Sequence, residues 1–173
     1  TNKDRMEKYK LQGLYSNGKA CDFNLVDEDD DGSPADLLIF AVKATSLEEA
    51  IKSANNKVSE DTIIISLLNG ISSEEILGNA FGKEKLLYAV AEGMDAVKIN
   101  NQFTYKNMGY LCIGSISDEE TMKNKLDELI ALFDKINFPY KLENNVLHRL
   151  WSKFMLNVGV NQVVMIYEGN YGT

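Results

Sequence analysis

Two short apolar runs constrain this chain more than anything else in it. Asp36–Lys43 (DLLIFAVK) and Thr62–Leu68 (TIIISLL) are each of strand length, and neither alternates polar with apolar residues. A strand with one wet face reads as alternation. A continuous apolar run implies a sheet covered on both faces, as in parallel α/β folds. Each run leads into a helix-forming segment, TSLEEAIKSANN after the first and NGISSEEILGNAF after the second. Three helix starts carry a hydroxyl followed three residues later by a carboxylate: Thr45 with Glu48, Ser72 with Glu75, and Ser117 with Glu120. In a capping box those two side chains satisfy amide donors that the first helical turn leaves open. Ile71 and Ile76 flank the second box at the positions of a hydrophobic staple.

The rest of the chain extends the pattern. LLYAVAEGMDAV reads as a strand, and FTYKNMGYLCIGS as one or two more. Ser117–Ile136 reads as an amphipathic helix, with Met122, Leu126, Leu129, Ile130, Phe133 and Ile136 on one stripe. Asn137-Phe138-Pro139 stops it, and PYKLE fits a short edge strand. At the other end, residues 1–10 read as the end of a helix, and LQGLYSNGKACDFNLV as a hairpin closed at Asn17-Gly18. The fold class that follows is α/β: an incomplete Rossmann-type doubly wound sheet, then the first helix of an all-α C-terminal domain. A sheet of this class opens on a strand and a glycine-rich turn. The chain contains no G-x-G-x-x-G and begins at Thr1 without a methionine. The expectation is therefore a piece of a longer protein, with the N-terminal part of this domain absent from the chain.

Composition narrows the function. With 173 residues, the chain suffices for one ordinary domain, or one domain and part of another. Its formal charge of −8, with no block of Lys or Arg, argues against a nucleic-acid partner. No apolar run reaches the roughly 18–20 residues of a membrane span, so no membrane partner is expected. TNKDRMEKYK at the start is too charged for a signal peptide. Cys21 and Cys112 lie far apart without a CxxC, which suits reduced thiols in a cytoplasmic protein. The single histidine, His148, excludes a His-rich metal centre. DEDDDG at Asp27–Gly32 matches the opening of a calcium loop, but its twelfth position is Leu38, where a bidentate Glu is required. An acidic solvated loop is the better reading, and no metal site is expected.

One segment stands out chemically. Arg149–Asn161 (RLWSKFMLNVGVN) is apolar except for Lys153, Asn157 and Asn161, spaced four apart. On a helix such positions project from one side, drifting by about 40° per step. A helix this apolar is normally buried, and polar groups buried with it need partners. Lys153 could be a lysine whose stem packs while its ammonium reaches water, but that reading leaves the two asparagines unexplained. In a cleft between domains, a partly desolvated Lys153 would have a lowered pKa and could protonate a carbonyl oxygen. The asparagines could hold hydroxyl and carboxylate groups of a substrate. His148 and Arg149, near the helix start, read as surface or hinge contacts. Two further candidates end strands. Asn69-Gly70 closes the second apolar run, and Asn69 there is either part of an ordinary tight turn or a ligand contact at the carboxyl edge, where open α/β sheets bind. Lys43 ends the first run and is either solvated or a cation for dinucleotide phosphates.

DLLIFAVKA, then TIIISLLNG, then LWSKFMLNVGVNQ, in this order and at these separations, resemble the ketopantoate reductase (2-dehydropantoate 2-reductase) family over nearly the whole chain. The resemblance implies NADPH-dependent reduction of ketopantoate to pantoate, on the pathway to pantothenate and coenzyme A. It implies a Rossmann-type NADP-binding domain over residues 1–143, truncated at its N-terminus. Residues 144–173 would begin the helical domain that carries substrate and dimer contacts, with the active site between the two. It further implies Lys153 as general acid, Asn157 and Asn161 as substrate-holding residues, Asn69 beside nicotinamide and substrate, and Lys43 as a cofactor contact. The chain departs from the family in lacking the glycine-rich turn and most of the helical domain, with its carboxylate and serine. The cation for the 2′-phosphate would fall near Thr1–Arg5, and the ending EGNYGT does not reproduce the family pattern. Turnover by this chain alone is therefore not expected. The partner is a small keto acid. Val163, Val164, Met165 and Ile166 call for cover that a homodimer or later helices would supply. The alternatives are a paralogue reducing another 2-keto acid with NADPH or NADH, and a non-catalytic nucleotide-binding protein of the same fold.

Overall fold

The two apolar runs become neighbouring parallel strands. The computed structural model describes residues 3–27 and 32–169. In it β3 (Leu37–Phe40) and β4 (Ile63–Ser66) pair with Leu37 opposite Ile63 and Phe40 opposite Ser66. β4 pairs in parallel with β5 (Leu86–Glu92), Ile65 opposite Leu87. β8 (Tyr110–Gly114) adds antiparallel to β5, and β9 (Tyr140–Leu142) adds parallel to β8. The result is a five-stranded mixed sheet in the order β3-β4-β5-β8-β9. α2 (Leu47–Ala54) connects β3 to β4, and α3 (Ser73–Phe81) connects β4 to β5. α4 (Glu120–Lys135) and α5 (Val146–Ile166) flank β9 in sequence.

Both faces of the sheet are covered, which explains why the runs do not alternate. Successive side chains of a strand point to opposite faces. Ile63 and Ile65 therefore join Leu87, Ile113 and the α4 residues Met122, Leu129 and Phe133 in one cluster. Ile64, between them, packs with Phe40, Leu47, Leu77 and Leu86 under α2 and α3. Full burial of each such side chain contributes about 1.5–3 kcal/mol. A third cluster, Val90, Cys112, Val146 and Leu150, seats the first turns of α5 on the sheet.

A second, four-stranded sheet runs β2-β1-β7-β6, built from β1 (Tyr15–Ser16), β2 (Lys19–Ala20), β6 (Val97–Ile99) and β7 (Gln102–Thr104). α1 (Lys3–Gln12) precedes it. The hairpin closes at Asn17 and Gly18, with φ of 47° and 77°, the pair of left-handed residues that a type I′ turn requires. Asn17 also bonds both backbone polar groups of Tyr105, at 2.9 and 3.1 Å, which ties the hairpin to the chain after β7.

Several expectations are corrected. None of the three capping boxes forms. Thr45 lies inside a single 3-10 turn, Ala44–Ser46, and Ser46 precedes α2 without a side-chain bond. At α3 the start is likewise uncapped by Ser72, and the hydroxyl in use is Ser73, which bonds Ser66 Oγ at 2.8 Å and Glu74 Oε2 at 3.0 Å. Ser117 accepts from Glu119 N–H instead, and α4 begins only at Glu120. α5 does have a side-chain cap, Asn145 accepting from His148 N–H at 3.1 Å. Ile136 is off the buried stripe and 56% exposed, because α4 has ended before it. α5 is also less buried than its composition suggests. Val146 and Leu150 are covered, whereas Trp151, Met155 and Ile166 are more than half exposed, since the sheet reaches only one side of the helix. Among the described residues no helix is long and apolar enough to cross a membrane. The acidic run Asp27–Gly32 falls mostly on residues 28–31, outside the described residues.

Candidate active site

The carboxyl ends of β4 and β5 and one face of α5 enclose a cleft of about 670 Å³, lined among others by Asn69, Glu92, Arg149, Lys153 and Asn157. Ligands of open α/β sheets bind outside the carboxyl ends of the strands. β4 ends at the buried Ser66, whose Oγ accepts from Leu68 N–H at 3.3 Å and pairs with Ser73. This clamp fixes the turn in which Asn69 stands exposed and Gly70 adopts φ 116°. No atom lies within 4 Å of where a Cβ on Gly70 would stand, so the backbone is open to an approaching ligand.

Lys153 is the chemical centre of the cleft. Its ammonium donates to the carbonyl oxygen of Ala91, near the end of β5, at 2.7 Å. Burial pushes its pKa below the ordinary lysine value, outweighing the Glu92 carboxylate, which pulls the other way. Asn157, one turn on, lines the same cleft, and a small cavity of about 10 Å³ also lies against Asn69, Lys153 and Asn157. Lys153, Asn157 and Asn69 are thus brought together. Asn161 is not among them: two steps of about 40° carry it roughly 80° round the helix from Lys153, and it is exposed and lines neither cavity. Lys43 follows the carboxyl end of β3 and is exposed, away from the cleft lining. Arg5, in the segment expected to supply a cation, lines a separate groove of about 650 Å³ beside β3.

The sequence reading missed a second charged set. Arg149, read from the sequence as a surface or hinge contact, donates from Nη2 to Glu92 Oε2 at 2.7 Å. Tyr110 Oη donates to the same carboxylate oxygen at 3.1 Å, and the Lys141 ammonium stands 4.0 Å from the Tyr110 ring centroid. The buried Cys112 sulfur, then Glu92, raise the Arg149 pKa further, so its charge is permanent. The spacing of Arg149 and Lys153, one turn apart on the same polar face, was the available signal.

The residues at this edge fit the nicotinamide end of a dinucleotide in their donor chemistry: an exposed amide at Asn69 and open backbone at Gly70.

Residues 2–118 match the family model described as ketopantoate reductase PanE/ApbA. The 2-dehydropantoate 2-reductase of Aquifex aeolicus is 28% identical over 142 residues, covering 80% of this chain and 44% of its own length. The chain thus spans about half the length of such relatives. The solved structure of D-mandelate dehydrogenase with NADH and anilino(oxo)acetate superposes with a TM-score of 0.78 at 20% identity, over 95% of this chain and 54% of that one. The dimeric ketopantoate reductase of Staphylococcus aureus gives 0.67 at 22% identity, over 87% and 49%. At such identities the two structures establish a shared Rossmann-type fold, and the family match extends over more than half of the chain. The chain belongs to the ketopantoate reductase PanE/ApbA family.

Proposed function

We propose that this chain carries part of an NADPH-dependent reductase of 2-dehydropantoate, with residues 1–143 as its NADP-binding domain and 144–173 as the start of a helical substrate domain. The observation that carries the reading is Lys153: a partly buried ammonium held by a backbone carbonyl, in a cleft at the carboxyl ends of the parallel strands β4 and β5, beside two asparagine amides. When bound, the reduced nicotinamide supplies hydride to the carbonyl carbon of the keto acid. As that carbon is reduced its oxygen gains negative charge, and Lys153 donates the proton it needs. A lowered pKa makes the ammonium a stronger acid, closer to the operating pH. Ala91 O orients Nζ toward the strand ends without neutralising it. Asn157 holds the substrate's hydroxyl or carboxylate from the cleft wall, Asn69 stands between substrate and nicotinamide, and Asn161, outside the cleft, has no part in this arrangement. Lys43 contacts the cofactor from the end of β3. The family and the NADH bound to D-mandelate dehydrogenase support a nicotinamide cofactor. The dimeric Staphylococcus aureus reductase supports a homodimer, and the family a cytoplasmic setting.

A second reading, reduction of a different 2-keto acid, is favoured by the likeness to D-mandelate dehydrogenase. NADPH absorbance followed with ketopantoate and related keto acids, for wild type and Lys153→Ala in the full-length protein, separates the two. Fast turnover of ketopantoate, lost in the variant, supports the proposal. Activity confined to another keto acid keeps the mechanism and changes the substrate. Wild-type inactivity on all of them refutes the reductase reading.

A further inference from the structure

Glu92 is the one carboxylate lining the cleft among the described residues, and its geometry is unusual for a group so near a lysine. It does not bond Lys153. Its Oε2 instead receives Arg149 at 2.7 Å and Tyr110 Oη at 3.1 Å, while Lys153 turns to the neutral Ala91 oxygen of the residue before. Glu92 ends β5, and Arg149 and Lys153 sit one turn apart on α5, so all three positions are set by how α5 lies across β5 and β8. The other groups facing this spot are Asn69 from the turn after β4, Cys112 and Tyr110 from β8, and Lys141 from β9 over the Tyr110 ring. Glu143, just after β9, brings a further negative charge, but it acts on Cys112 and not on the lysine.

We propose that Glu92 and Arg149 are positioning residues for Lys153: the guanidinium claims and neutralises the one carboxylate lining the cleft among the described residues, so the ammonium is left to a backbone carbonyl and gives up its proton readily. An unpaired carboxylate at this distance would hold the proton on the lysine. An unpaired guanidinium would drive it off and leave the lysine neutral. The matched pair avoids both. The pair's relevance to catalysis rests on the proposed function, but its effect on Lys153 does not.

The test is a direct titration of the Lys153 amine by NMR of 15Nζ-labelled lysine, its signal identified by loss in Lys153→Arg. Glu92→Gln is expected to lower the midpoint and Arg149→Gln to raise it, each by about half a unit or more. The double variant is expected to return close to wild type. A smaller change in either single variant, shifts of the same sign, or a double variant as displaced as one of the singles overturns the proposal. Tyr110→Phe checks the fold, since it keeps the ion pair and should leave the midpoint within about 0.2 unit. Opposite shifts combined with full activity of Lys153→Ala would sink the catalytic reading and leave the pair's influence standing.

Discussion

Replacing Lys153 by methionine separates a proton donor from a structural lysine. The substitution keeps an unbranched stem of similar length and removes the ammonium. What is lost structurally is one charge-assisted hydrogen bond to Ala91 O, of the class that contributes about 1.5–3 kcal/mol. What is gained is relief from desolvation, the dominant influence on this group. The two oppose each other, so the net change in stability is expected to stay within about 1–2 kcal/mol. Loss of a general acid instead lowers the rate by about 10²–10⁴, equivalent to about 2.7–5.4 kcal/mol in the barrier. Stability also has a pH signature. Burial holds the folded pKa below the unfolded value of about 10.4. Between those two values the unfolded chain binds more protons, so stability of the wild type rises with pH there. The penalty is full below the folded pKa and gone above about 10.4. Lys153→Met carries no such penalty, so its stability relative to wild type is greatest below the folded pKa and declines through that window. Urea denaturation from pH 6 to 11, paired with NADPH turnover of the full-length protein, reads both quantities. Turnover within about threefold of wild type, or a loss of more than about 3 kcal/mol in stability, refutes the argument.

Three further outcomes test other parts of the structure. Ile64→Ala, at a fully buried position of β4, should destabilise by about 2–5 kcal/mol in equilibrium denaturation, with no change in the denaturant slope. Burial raises the pKa of Glu74, so the folded chain binds the extra proton and loses stability as pH rises from about 4.3 through the folded value. Glu74→Gln can still accept from Ser73, and should be the more stable form at pH 7, with the advantage vanishing below about pH 4. Gly109 has φ 76°, and a Cβ there would meet Glu92 O and, at 2.8 Å, Met94 N. Gly109→Ala should therefore cost at least about 1–2 kcal/mol and speed amide exchange around Glu92, at the end of β5.

Which parts of this molecule were legible in advance follows from the range of the forces involved. Strand runs, the α4 stripe, the Asn17-Gly18 turn and the helical line of Lys153 and Asn157 are set by periodicity and local sterics. Those act within a few residues and are written in the chain itself. The capping boxes looked equally local and failed, because packing set where each helix begins: at α3 the bonded hydroxyl is Ser73, held by Ser66 seven residues away, and Ser117 accepts from Glu119 N–H before α4 starts. The burial of α5 was overestimated for a similar reason, since apolar residues show that a surface can be covered and only the packing shows which side is. Asn161 left the cleft through the 40° drift per four residues, a deviation small in sequence and decisive in space. Glu92 and Arg149 lie 57 positions apart, and no pattern joins them. By itself, the sequence determined the elements, the fold class and the lysine-bearing helix. The tertiary structure alone decided which charges meet that lysine, because ion pairing depends on distances that only the crossing of α5 over the sheet creates.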